Sequence, residues 1–234
     1  MPKFGGEEMF VRPKIKEIKR RRENMGWSQH RLSMQAGLSG CAVSRIESGK
    51  TVHIHILRAR EIAKALHCEV EDILDVAKSR NEDPFIMILD GIEDPHNLGA
   101  IIRTAETAGV HGIVIPKRRS VAVNSTVSKV SAGATTYMKI ARVNNINDTI
   151  RKLKDNGLWI IGTDGEAKNY YYDENLTGPI ALVIGSEGIG MSKLVKDNAD
   201  ILVKIPMKGQ ITSLNASVAA GIVMYEVVKQ NLKK

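Results

Sequence analysis

Residues 85–116 read FIMILDGIEDPHNLGAIIRTAETAGVHGIVIP, and the order of elements within them decides the fold. FIMILDGI, from Phe85 to Ile92, is a short apolar strand that leaves into a loop. HNLGAIIRTAETAG, from His96 to Gly109, starts as loop and becomes a helix; GIVIP, from Gly112 to Pro116, is a second strand. Two parallel strands need a crossover of this kind, and a helix is its usual form. The alternation continues through a helix at about Asn124 to Ala132, the strand YMKIARV, a helix at Ile146 to Asn156 and the strand LWIIGTD. The strand PIALVIG, a short helix at Ser192 to Asn198, the strand DILVKIPM and a last helix at Ser213 to Gln230 complete it. The expectation is an α/β domain over 85–234, a mostly parallel sheet covered on both faces, with ligands beyond the carboxyl ends of its strands.

Upstream the texture changes to helices rich in long charged side chains. KSRNEDP, residues 78–84, reads as the linker, since Pro84 disfavours helix at Asp83, and residues 1–77 form a small all-α domain. Its helices run from Lys14 to Met25 with Gly26 as the stop, from a Ser28 cap to Ala36, from a Ser39 cap to Ser48 with Gly49 as the stop, from Ile54 to Leu66, and from Val70 to Val76.

Charge is uneven along the chain. Of a net +8, residues 1–80 hold 16 Lys/Arg against 10 Asp/Glu and residues 81–234 hold 18 against 16. A basic excess suits a polyanionic partner through phosphate contacts. With 4% aromatic residues, the chain is not one that stacks many bases on aromatic platforms. No run reaches membrane-spanning length, and two cysteines make no disulfide framework, which fits a reducing, cytoplasmic setting. His53, His55, His67 and Cys68 have no metal-ligand spacing, so no metal is expected.

The chemistry concentrates in three loops at strand ends: Asp90 to Arg103, Gly185-Ser-Glu-Gly-Ile-Gly190, and Ile205 to Asn215. The glycine loop is neither a dinucleotide fingerprint nor a phosphate-binding P-loop, because Met191 stands where Lys would be required. Taken singly, Asn97 reads as a loop residue bonding its own backbone, Ser213 as a helix cap and Arg103 as a solvated charge. Their joint occurrence favours a site. Lys117-Arg118-Arg119, at a strand end, reads as a phosphate-binding patch for RNA.

Together the three loops resemble the signature motifs of the SpoU branch of the SPOUT RNA methyltransferases. The likeness covers about residues 84–232 and is nearest the bacterial 23S rRNA guanosine-2′-O-methyltransferases, through DPHNLGAIIRTAE, PKRRSV, VSKVSAGA, IPMKG and SLNAS. It implies a trefoil knot in the C-terminal segment, S-adenosyl-L-methionine as cofactor, a homodimer, and methyl transfer to a ribose 2′-hydroxyl of structured RNA (rRNA guanosine, or tRNA). By matching position, Gly185, Gly188, Ile205 and Leu214 would contact the cofactor, with Thr163 and Met207 beside it. Arg103 would be catalytic, Asn97 and Glu187 would position it and the ribose, and Ser213 and Asn215 would anchor the loop. A guanidinium stays protonated in proteins, so the role implied for Arg103 is orientation and charge stabilisation, not that of a base.

Residues 12–76 resemble the Xre/phage-repressor helix-turn-helix family, carried by WSQHRLSMQAGLSGCAVSRIESGK and IAKAL. In that family the start of the third helix reads major-groove base edges. Gly40 and Cys41 stand there and cannot make bidentate contacts, leaving Arg45 as the one strong reader. DNA binding, RNA binding and dimerisation all remain open for this domain. Two functions from different classes therefore compete: an RNA ribose methyltransferase, and a helix-turn-helix DNA-binding regulator whose second half dimerises or senses S-adenosylmethionine. An engineered fusion of unrelated modules is a third possibility.

Overall fold

The computed structural model describes residues 10–24, 27–66 and 70–232, which form two compact units dividing between Cys68 and Glu69. The Gly26 stop, His67 and Cys68 lie outside the described residues.

The first unit contains β1 (Phe10–Val11), α1 (Ile15–Asn24), α2 (Gln29–Gln35), α3 (Ala42–Glu47), β2 (Ile54–His55) and α4 (Ile56–Leu66). β1 and β2 pair antiparallel, an addition the helical pattern did not announce. Leu32, Val43, Ile46, Ile54 and Ile62 make its core, with Ile15, Ile18 and Trp27 packed against it. Ser28 caps α2 as expected, its side chain accepting from the Arg31 amide at 3.1 Å. Ser39 does not cap α3: the helix starts after Cys41 with no side-chain cap, and the Ser39 carbonyl takes the Ala42 amide instead. Between α1 and α3 lies a buried ion pair. Arg22 donates through Nε and Nη2 to the two oxygens of Glu47, at 2.7 and 2.8 Å, and through Nη1 to the Trp27 carbonyl. This pairing satisfies both charges, which is what makes their burial tolerable.

The second unit runs α5 (Val70–Arg80), β3 (Phe85–Asp90), α6 (Pro95–Thr107), β4 (Gly112–Pro116), α7 (Ser125–Val130), β5 (Lys139–Val143), α8 (Ile146–Asp155), β6 (Trp159–Thr163), β7 (Asn169–Tyr170), β8 (Ile180–Gly185), α9 (Lys193–Asn198), β9 (Ile201–Lys204) and α10 (Ala216–Asn231). Its sheet has the order β5-β4-β3-β8-β6-β9-β7, and every pairing in it is parallel. Ile86 to Leu89 and Ile113 to Ile115 are fully buried, as expected of strands covered on both faces. On α6 the buried residues Leu98, Ile101, Ile102 and Ala105 recur at helical spacing and face this core.

The boundary differs from the expected linker at 78–84. α5 continues to Arg80, and its Val70, Ile73 and Ala77 are buried. It packs on β4 and β5: a Cβ at Gly112 would lie within 2.7 Å of three Ile73 side-chain atoms. Its apolar stripe therefore belongs to the α/β unit, whereas the sequence grouped it with the helices before it. His111, buried at the head of β4, accepts the Phe85 amide on Nδ1 and directs Nε2 to Glu82, tying the end of α5 to the start of β3.

Hydrogen bonds from Arg20 and Arg21 hold the Glu17 carboxyl at about 2. Burial pushes Glu47 up, but hydrogen bonds from Arg22 and Gln29 outweigh it and bring the group below its ordinary value. Both carboxylates ionise more readily folded than unfolded. Their stabilisation is complete above the ordinary value of 4.5 and is lost as pH falls below it, for Glu17 as pH approaches about 2. With Trp159→Phe, Trp27 alone reports on the first unit, and its urea midpoint is expected to drop between pH 5 and 2.5. At pH 7, Glu47→Ala strands Arg22 and should cost about 3 kcal/mol. A midpoint independent of pH over that range, or unmoved by Glu47→Ala, would contradict the ion-pair account.

Candidate active site

Parallel strands deliver their carboxyl ends to one edge of a sheet, and here four neighbouring strands end together. Asp90 is in register with Gly185, and Thr163 with Val203, while the Thr163 hydroxyl donates to the Val183 carbonyl at 3.2 Å. From those ends leave the loops at 91–94, 186–192 and 205–215, joined by one hydrogen-bonded triangle. Asn97, 6% exposed in the first turn of α6, donates from Nδ2 to Glu187 Oε1. Asn215 donates from Nδ2 to Asn97 Oδ1 at 2.9 Å and to Glu187 Oε1 at 3.0 Å. Asn215 Oδ1 caps α10, accepting the Ser217 and Val218 amides. One oxygen of Glu187 thus takes two donors, and Oε2 accepts nothing from the described residues.

The glycine loop is shaped by close approach. The Gly190 amide donates to the Ser186 carbonyl at 2.9 Å and the Ser186 amide to the Gly190 carbonyl at 3.1 Å, with Gly188 at φ +84 and Gly190 at φ +72. A Cβ on Gly185 would sit 2.2 Å from the Gly190 carbon and the Met191 nitrogen, so only glycine fits. Asp90 Oδ2 accepts the Ser192 amide at 2.8 Å and fastens the far side of this loop to β3.

Not every expected residue joins the triangle. Arg103 is exposed on α6, and its guanidinium makes no hydrogen bond or ion pair among the described residues. Ser213 is exposed and is not the cap of the last helix; Asn215 holds that place, because α10 begins at Ala216, three residues later than the sequence suggested. Lys117, Arg118 and Arg119 are exposed beyond β4, and the Arg119 carbonyl lies 3.8 Å from where a Gly91 Cβ would stand. Two contributors were missed. Arg142 on β5 donates to the Lys117 carbonyl at 3.3 Å, its Nε buried without a partner. Asp164, next to Thr163, pairs with Lys196. Burial raises the Asp164 carboxyl, but hydrogen bonds from Lys196 and the Glu166 amide outweigh it and hold the group below its ordinary value. Their only sequence signal was position: both stand at or next to the carboxyl end of a strand.

With that geometry in place, the relatives are informative. A family model described as the SpoU rRNA Methylase family matches residues 84–225. The chain belongs to that family. A helix-turn-helix model matches residues 18–73. The putative TrmH family tRNA/rRNA methyltransferase YacO of Bacillus subtilis (strain 168) is 50% identical over 170 residues, 73% of this chain and 68% of the relative. A 23S rRNA (guanosine-2′-O-)-methyltransferase, RlmB of Vibrio parahaemolyticus, is 46% identical over 181 residues, 77% of this chain and 72% of its own. Among solved structures, the SpoU methyltransferase AviRb of Streptomyces viridochromogenes in complex with the cofactor AdoMet has a TM-score of 0.60 at 30% identity, covering 64% of this chain. The match spans 58% of that neighbour's length. Residues 84–225 are thus a SpoU methyltransferase domain, and the methyltransferase reading prevails over that of a regulator.

The residues present suit S-adenosylmethionine. Gly185 and Gly188 leave the strand end free of side chains, and the backbone of residues 206–214 makes no hydrogen bond among the described residues, leaving donors and acceptors for an adenine edge. Ile189, Met207, Ile211 and Leu214 stay exposed beside them, an apolar set that a ligand can cover. Gly185→Ala forces the 186–191 turn apart and is expected to weaken S-adenosylmethionine binding at least about 100-fold, the scale of a lost site, by calorimetry. Binding within a few-fold of the parent would remove the cradle from this strand end.

Proposed function

We propose that this SpoU enzyme moves the methyl group of S-adenosylmethionine to a ribose 2′-hydroxyl of structured RNA, with an rRNA guanosine as the first target to test and tRNA as the second. The observation that carries this reading is the triangle of Asn97, Glu187 and Asn215, which locks three loops around one strand end and leaves Glu187 Oε2 and the Arg103 guanidinium without partners among the described residues.

When bound, S-adenosylmethionine supplies a methyl group on a sulfonium, which a hydroxyl attacks in line. Gly185, Gly188, Ile205 and Leu214 would hold it, largely through backbone groups, with Thr163 and Met207 as further binding residues. Glu187 Oε2 accepts a hydrogen bond from a ribose hydroxyl and orients the attacking oxygen. Arg103 binds the adjacent phosphate and offsets the negative charge that grows on the 2′-oxygen, while the proton leaves to phosphate or water. Asn97 is a positioning residue: both ends of its amide already bond protein groups. Asn215, and Ser213 before it, anchor the loop that leads into α10. Lys117, Arg118 and Arg119, with Arg142 behind them, take further phosphates. Exposed Val218 and Tyr225, two turns apart on α10, support a homodimer formed along that helix. The trefoil knot belongs to the same reading, supported by β8 lying between β3 and β6 and by α10 packing back on α6 and β8. A cytoplasmic setting belongs to the same proposal.

Arg103→Ala should lower turnover by about 10²-fold or more, as expected for a lost charge-stabilising group, and leave S-adenosylmethionine affinity within twofold. Transfer of labelled methyl to rRNA and a parallel binding titration check the two halves. Near-normal turnover refutes the role of Arg103.

A further inference from the structure

The boundary after Cys68 changes where the charge lies. Residues 1–68 carry 14 Lys/Arg against 6 Asp/Glu, and residues 69–234 carry 20 against 20. The whole formal charge of +8 therefore belongs to the first unit, and the methyltransferase unit is neutral. Two of the first unit's few acids are occupied internally, Glu17 by Arg20 and Arg21 and Glu47 by Arg22 and Gln29. Lys16, Arg45, Lys50, Arg58 and Arg60 are exposed, and their side chains make no hydrogen bond or ion pair among the described residues. Arg31, also exposed, lies 5.0 Å over the Trp27 ring.

The α3 edge offers little that reads bases. Gly40, Cys41 and Ala42 lack bidentate donors, and a Cβ at Gly40 would stand 2.6 Å from the exposed His30 ring. Sequence readers put bidentate side chains at this edge, whereas a phosphate binder needs only accessible cations. A-form RNA has a deep, narrow major groove that side chains cannot read, so an edge with Arg45 as its single strong base reader loses little on RNA.

We propose that the first unit is an RNA-holding module that grips phosphates without reading sequence and adds affinity to that of the few exposed cations on the net-neutral methyltransferase unit. This rests on the ribose methyltransferase reading of the second unit. The test compares the full-length chain with a K16Q/R45Q/K50Q/R58Q/R60Q variant, leaving Arg22 intact because it holds Glu47. Fluorescence anisotropy with a labelled rRNA fragment is measured over a salt series, beside random and selected palindromic duplex DNA. S-adenosylmethionine titration and a thermal melt report the second unit separately.

The expected result is an RNA Kd raised at least about tenfold at moderate salt, with a salt slope flatter by roughly 0.7–0.9 for each phosphate that is no longer neutralised. S-adenosylmethionine affinity should not change. If the five-fold variant melts early, K16Q/K50Q should still give a smaller loss in the same direction. RNA affinity and slope within twofold of the parent overturn the proposal, as does a preference above about 100-fold for the palindrome, the scale of specific readout. If the parent transfers no methyl group but the variant still loses RNA affinity, the reading of the second unit fails and the holding module stands.

Discussion

Asn97 ties together segments that lie 90 and 118 residues further along the chain, and the site depends on that tie. Its amide donates to Glu187 and accepts from Asn215, so a buried polar group is satisfied twice by residues that would otherwise sit in exposed loops. Leaving such a group unpaired costs about 1–3 kcal/mol, which gives the loops a reason to hold one arrangement. Because Asn215 also caps α10, the start of the last helix and the mouth of the site are positioned by one side chain. The same bonds use up one oxygen of Glu187 and leave the other for a substrate.

The sheet makes this convergence possible. Its pairings are all parallel, so Asp90, Thr163, Gly185 and Lys204 close neighbouring strands at the same edge. The Gly185 contact with Gly190 and Met191 then turns the chain back on itself without a side chain in the way. Cations stand near that edge in the 117–119 loop, while Arg103 stays on the exposed side of α6, outside the triangle. The protein thus separates a rigid polar bridge from exposed charges, an arrangement suited to a substrate that brings its own phosphates.

Much of this was legible in the sequence, for physical reasons. Fully buried parallel strands leave continuous β-branched runs, so GIVIP matches β4 residue for residue and PIALVIG is off by one at its start. The site loops were visible because they leave strand ends carrying polar and glycine residues that a core would not choose, Asn97, Glu187 and Asn215 among them. What failed was less local. α5 looks like its neighbours in charge and period, and its packing on β4 and β5, with Ile73 against Gly112, assigns it to the sheet. Ser39 and Ser213 both carry a capping side chain, yet the helices begin later, after Cys41 and Asn215. β7 spans two residues and has no pattern long enough to read. The contributions of Arg142 and Asp164 arise from contacts between segments far apart in the chain that no spacing announces.

The chemistry claimed for this site leaves a distinctive product, because a methylated 2′-oxygen cannot attack the neighbouring phosphodiester. The most direct test is to incubate the protein with labelled S-adenosylmethionine and total RNA, hydrolyse the RNA in alkali, and size the labelled fragments. The account predicts label confined to alkali-resistant dinucleotides from one or a few RNA positions. Label released as single nucleotides, which would mean base methylation, or no label in any RNA, would contradict it.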